Sequence, residues 1–156
     1  MAYTDIISLS EAKNYLRIDI NNTSDDTQIT MMINASLRYV EKYTNHILFA
    51  RSKDFLLIDG CVRVYDFPIN SVISPTDNEQ TVKPTYTIFE TDTSETTLVL
   101  NVGYSSVSDI PSELIEFAYY MISLYYNEGK EGQDTADVKI PEWAKSSIDH
   151  YRRFII

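Results

Sequence analysis

The stretch "LSEAKNYLRID", Leu9 to Asp19, is the first readable element of the chain and decides how the rest is read. Ser8 in front of it is a favoured N-cap, and Glu11 can reach back to the cap's N–H, the reciprocal pairing that starts a helix. Leu9, Ala12 and Leu16 then share one stripe. A stronger pattern covers 24–45. Ser24, Asp25 and Asp26 offer a cap and negative charge to the positive end of a helix dipole. Ile29, Met32, Ile33, Ser36, Leu37, Val40 and Tyr43 recur at the spacing of a buried helix face, with Arg38, Glu41 and Lys42 opposite. Met31 and Ala35 also fall on the outer side, where scattered apolar residues are ordinary.

After Asn45 the texture changes to short β-rich runs. "FLLIDGCVRVYDF" places two of them around Asp59-Gly60, a pair suited to a type I′ turn, so the spacing predicts a hairpin. "SVISPTDNEQTV" adds a strand and a Pro-Thr-Asp-Asn turn, and "TYTIFETDTSETTLVLNVGY" adds two strands around a polar turn. Helical texture returns at "DIPSELIEFAYYMISLYYNEGK", with Pro111 in the first turn, Asp109 near the cap and Gly129 at the far end. Its apolar residues cover more than half the wheel, which predicts a central helix. "NEGKEGQDTADVK" reads as a polar mobile loop over 128–139. A last helix over 141–154 starts at Pro141 and carries two stripes: Ala144, Ile148, Tyr151 and Ile155, then Trp143, Ser147, His150 and Phe154.

The expected fold class is therefore α+β. It is mainly a bundle of about four helices, with a small antiparallel β-sheet inserted over about residues 52–103. One domain is expected over 1–156, with helical parts at 8–45 and 110–128. The 156 residues suffice for a single core. No apolar run is long enough to span a bilayer, and the first residues lack the basic-then-apolar order of a signal peptide. Cys61 is the single cysteine, so no internal disulfide is expected and the cytoplasm is the default compartment.

The net charge of −10, from 13 basic and 23 acidic residues, argues against gripping nucleic acid. Residues 51–110 hold four basic and nine acidic side chains, a balance of −5, whereas 141–156 hold three and two, a balance of +1. Four glycines form no phosphate-binding loop. His46 and His150 do not have the spacing of a recurrent metal site. Asp25, Asp26, Glu113 and Glu116 sit in first helical turns, where carboxylates serve the dipole more readily than catalysis. No catalytic, cofactor-binding or metal-binding residue is expected, and no cofactor. The 12 tyrosines and one tryptophan suit core filling, interfaces or carbohydrate stacking.

Order and spacing carry a resemblance. Leu9-Ser10-Glu11-Ala12-Lys13, Leu16-Arg17-Ile18-Asp19, Ser24-Asp25-Asp26, Ile29, Ile33, Ala35, Val40-Glu41 and Tyr43-Thr44 form one block. Val102-Gly103-Tyr104, Ile110-Pro111 and Leu124-Tyr125-Tyr126-Asn127-Glu128 form a second, and Pro141 with Tyr151-Arg152 a third. Together they resemble the head–tail connector (adaptor) proteins of tailed bacteriophages, in particular longer members that insert a small β-sheet. One departure is Gly129-Lys130 where the family usually has an arginine near the end of the third helix.

The resemblance implies a structural protein, not an enzyme. It implies a ring, usually twelvefold, beneath the portal protein, joining the filled head to the stopper or tail-completion protein. Genome DNA would pass through without tight binding, some acidic residues of 51–110 would line the channel or a ring face, and no membrane would be involved. Assembly would take place in the host cytoplasm and the finished protein would sit in the virion neck. Trp143, His150, Arg152, Arg153 and Phe154 are the expected portal contact. Met31, Ala35, Tyr39 and Tyr120 are the expected contact between subunits. The alternative is a small soluble module whose Tyr/Trp clusters hold a carbohydrate or peptide.

Overall fold

Helix α2 (Leu9–Tyr15) begins as its sequence requires: the Glu11 amide donates to Ser8 Oγ at 3.2 Å and the Ser8 amide to Glu11 Oε2 at 2.8 Å. It ends at Leu-Arg-Ile-Asp for an equally local reason. Arg17 turns left-handed, at φ 57°, so that the Arg17 amide reaches the Asn14 carbonyl and the Ile18 amide the Lys13 carbonyl. That is a Schellman stop, with arginine where glycine is usual. The computed structural model describes residues 2–92, 96–130 and 139–153. The expected loop over 128–139 lies mostly outside them, as do Phe154 and Ile155.

A short α1 (Tyr3–Ile6) precedes α2, and two long helices, α3 (Asp26–Thr44) and α4 (Ser112–Lys130), form the body. They run antiparallel: Tyr126 reaches Asp25 at one end, and the rings of Tyr39 and Phe117 stack 6.0 Å apart toward the other. Ile29, Ile33, Leu37 and Val40 from α3 meet Leu114, Ala118, Met121 and Ile122 from α4, all fully or nearly fully buried. Asp25 occupies the N-cap position of α3 but makes no capping bond. Its carboxylate accepts from the Tyr126 hydroxyl at 3.0 Å instead, and Asp26 pairs with the buried Lys13. The acidic pair thus ties three helices together, a use that spacing alone does not announce.

Between α3 and α4 the described residues form six strands rather than five: β1 (Arg51–Leu56), β2 (Cys61–Val64), β3 (Ile69–Ser74), β4 (Glu79–Val82), β5 (Thr87–Glu90) and β6 (Thr97–Val102). They form two three-stranded antiparallel sheets, ordered β1-β6-β3 and β2-β5-β4, instead of one. The Asp59-Gly60 turn is present, with both residues at positive φ (51° and 74°) and paired bonds between Ile58 and Cys61. The expected hairpin around it is not, because β1 pairs with β6 and β2 with β5. Sequence neighbours pair directly only at β4–β5. Switching sheets at every connection but β4–β5 lets Leu98, Leu100 and Val102 on β6 bury against Val64 and Phe89 of the second sheet. A single flat sheet would leave that face wet.

The sheets are fastened to the helices by Glu41. Its carboxylate accepts from the Tyr3 hydroxyl at 2.6 Å, the Leu48 amide at 2.8 Å and the Arg51 guanidinium at 3.0 Å. Asn45 ends α3 in the left-handed region at φ 59° and turns the chain toward the sheets.

The last segment departs from the expected helix over 141–154. Helix α5 covers only Glu142–Ser146, and a 3-10 turn follows at Asp149–Tyr151. Long-range bonds replace helical ones here. The Tyr43 hydroxyl reaches Asp149 at 2.5 Å, the Tyr151 hydroxyl reaches Glu113 at 3.0 Å, and the Arg153 amide reaches the Thr44 carbonyl at 3.0 Å. Asn45 Nδ2 also donates to the Arg153 carbonyl at 2.6 Å.

Candidate interaction surfaces

Five carboxylates, Asp59, Asp77, Glu79, Glu90 and Asp92, gather around one hollow of about 390 Å³ with Cys61 and Asn78. Strand register brings them together, since Glu90 sits opposite both Cys61 on β2 and Glu79 on β4. Like charges directly across a strand pair cost stability. The second sheet carries this density at one end, whereas Thr87 at the other end of β5 lies beside Arg153. Nothing in the local sequence tells that these five residues meet; only the pairing of β5 with both β2 and β4 does.

The expected portal residues divide. Trp143 is 67% exposed, and His150 and Arg152 are exposed as well. The Arg152 guanidinium lies 4.8 Å over the Tyr43 ring. Arg153 is buried and turned inward: Nε donates to the Thr85 carbonyl at 2.9 Å, and the guanidinium covers the Phe67 ring at 5.0 Å. Burial pushes its pKa down, with Asp66 opposing. It therefore pins the last segment to the β4–β5 loop and takes no part in the exposed edge. Phe154 lies outside the described residues. Of the first stripe, Ala144 and Ile148 are buried in the helical core, Tyr151 packs against it half-buried, and Ile155 lies outside the described residues.

Of the expected subunit residues, Met31 and Ala35 face solvent on α3. Tyr39 is half-buried, stacked with Tyr43 at 5.8 Å and on Phe117. Burial raises its pKa. Tyr120 meets Trp143 edge-on at 5.1 Å, which joins the two expected contacts at one point. Between α4 and α5 these rings line a groove of about 230 Å³ with Glu113, Glu116 and Phe117. Glu113 is held below the usual carboxylate range by its own backbone amide and the Tyr151 hydroxyl.

Behind this surface His46 is buried, with Nδ1 2.8 Å from the Tyr104 hydroxyl and its ring 5.0 Å from that of Phe67. Burial and the Arg153 charge push its pKa down to about 4. Among the described residues no three His, Cys, Asp or Glu side chains are placed so as to hold a metal ion, those around the acidic hollow included. No helix among them is long and apolar enough to cross a membrane.

The family described as phage gp6-like head–tail connector protein matches residues 6–152. The chain belongs to that family. A search of curated proteins finds no match. Three solved chains share the connector's fold at low identity. One, from the neck of an empty gene transfer agent particle computed with C6 symmetry, has a TM-score of 0.73 at 14% identity, covering 97% of this chain and 92% of its own. A second, from the virion of a native gene transfer agent particle, has a TM-score of 0.72 at 13% identity, covering 100% and 94%. A third, from the neck of a native particle computed with C12 symmetry, has a TM-score of 0.69 at 13% identity, covering 97% and 91%. The alternative of a carbohydrate- or peptide-binding module finds no support among these relatives.

The connector's Val-Gly-Tyr signature has a structural cause. Gly103 stands at φ 110°, where an added Cβ would lie 2.2 Å from the Phe49 carbonyl oxygen. That conformation lets the Gly103 amide reach Pro68 and the Tyr104 amide reach Ile47, closing the sheets onto the end of α3.

Proposed function

We propose that this connector assembles as a ring of twelve at the head–tail junction, seated on the portal and presenting a surface for the stopper or tail-completion protein. Its role there is structural. It meets the portal in the host cytoplasm and remains in the virion neck, and the genome passes through its lumen. The observation that carries this reading is the gathering of the Asp59, Asp77, Glu79, Glu90 and Asp92 carboxylates at one end of the second sheet, in a chain of net charge −10. Such a wall repels phosphate and lets DNA move without sticking, and it accounts for like charges held together at a cost in stability. Trp143, His150 and Arg152 supply the portal contact, with Arg153 holding their segment in place. Met31, Ala35, Tyr39 and Tyr120 lie between subunits.

Mixing the purified chain with the portal protein encoded beside it, and imaging the products by electron microscopy, tests the reading. A ring stacked on the portal is expected, whatever the chain does alone. A chain that stays monomeric and ignores the portal overturns it.

A further inference from the structure

We propose that neighbouring copies of this chain join head to tail, the basic outer stripe of α3 on one copy seating in the groove between α4 and α5 of the next. The stripe is Met31, Ala35, Arg38 and Lys42; the groove is lined by Glu113, Glu116, Tyr120 and Trp143. This rests on the ring reading and names the surfaces that build it.

Charge makes the first argument. Copies of net charge −10 repel one another, so a stable self-contact has to bring a basic patch against an acidic one. Lys13, Arg51, Lys53 and Lys145 are already engaged in ion pairs within the chain. Arg38, whose guanidinium lies 5.9 Å over the Tyr3 ring, and Lys42 are exposed on the face of α3 away from the core, in line with Met31 and Ala35 and in no ion pair within the chain among the described residues. Their spacing of four, three and four residues makes one continuous ridge. The ridge is apolar at its N-terminal half and basic at its C-terminal half, and Met31 is 67% exposed.

The groove complements it. Trp143 and Tyr120 stand edge-on at 5.1 Å and form an apolar wall, with the Glu113 and Glu116 carboxylates at the rim. A volume of about 230 Å³ suits long basic side chains whose stems lie on the rings and whose charges reach the carboxylates. Level is the third argument. Because α3 and α4 are antiparallel, Arg38 and Lys42 lie at the same end of the helical pair as Glu113 and Glu116, beside the Tyr39–Phe117 stack. Neighbours in a closed ring are related by rotation about its axis, so surfaces that touch must share a height, and the proposal therefore sets the α3–α4 pair along that axis. The contact is heterologous, and it leaves Trp143 where two subunits and the portal meet.

The test is a charge swap read as ring yield on the portal at low ionic strength. Lys42→Glu and Glu116→Lys are made singly and together, with circular dichroism to show that each variant folds; both positions are exposed, and Glu113 is left intact because it holds Tyr151. Each single variant is expected to lower ring yield at least about tenfold, and the double variant to return within about threefold of wild type. Single variants that assemble like wild type, or a folded double variant no better than the singles, overturn the pairing. A wild-type chain that forms no ring on the portal fails earlier and overturns the ring reading itself.

Discussion

The Tyr104 hydroxyl lies 2.8 Å from Nδ1 of His46, in the buried seam where the end of α3, the end of β6 and the last segment meet. Burial raises Tyr104 to about 12, so the phenol stays protonated beside the imidazole. His46 is correspondingly pushed down, to about 4, by burial first and the Arg153 charge second.

A histidine depressed in the folded state favours folding in its neutral form. Its contribution is fully present above the unfolded value of 6.5 and is lost as pH falls toward the folded value of about 4. Chemical unfolding of the wild type is expected to lose on the order of 2 kcal/mol between pH 7 and pH 5, above the range where ordinary carboxylates titrate. His46→Gln, which carries no titrating group, should be nearly flat over that interval. An equal slope in both proteins would place the acid sensitivity elsewhere.

Glu41→Ala should destabilise the protein by about 3 kcal/mol, measured as the shift in denaturation midpoint at constant slope. The change leaves the Leu48 amide and the Tyr3 hydroxyl without their acceptor and the Arg51 guanidinium without its counter-ion. Glu116→Ala, an exposed carboxylate on α4, serves as the control and should stay within about 0.5 kcal/mol of wild type.

Two positive-φ positions should respond in opposite directions. Arg17 at φ 57° lies in the left-handed region without needing a side chain there, so Arg17→Gly is expected to stabilise by about 0.5–1 kcal/mol. Gly103→Ala puts a Cβ 2.2 Å from a backbone oxygen at φ 110° and should cost at least about 3 kcal/mol. Thermal unfolding of the two variants side by side measures both, and a destabilised Arg17→Gly would show that the arginine side chain holds the turn.

Trp143→Ala should leave the unfolding midpoint within about 0.5 kcal/mol of wild type, because the indole is two-thirds exposed. Co-sedimentation with the portal should nevertheless fall at least about tenfold, as expected when an aromatic anchor leaves an interface. Normal co-sedimentation would remove Trp143 from the portal contact.

What lay open in the sequence was the local physics. The Ser8/Glu11 cap, the buried stripes of α3 and α4 and the Asp59-Gly60 turn depend on residues a few places apart, whose propensities and periodicity act before any tertiary contact forms. The order of the motifs from Leu9 to Arg152 was enough to place the chain among the connectors. Strand partners were not legible, because a β-run carries no label for which other run it pairs with, and burial of β6 against Val64 and Phe89 decided that. Nor could the sequence foretell that Asp25 would serve Tyr126 instead of a helix cap, that Arg153 would turn inward, or that long-range bonds would break the last helix after Ser146. A polar side chain takes the partner that folding places within about 3 Å, and only the assembled tertiary structure supplies those distances.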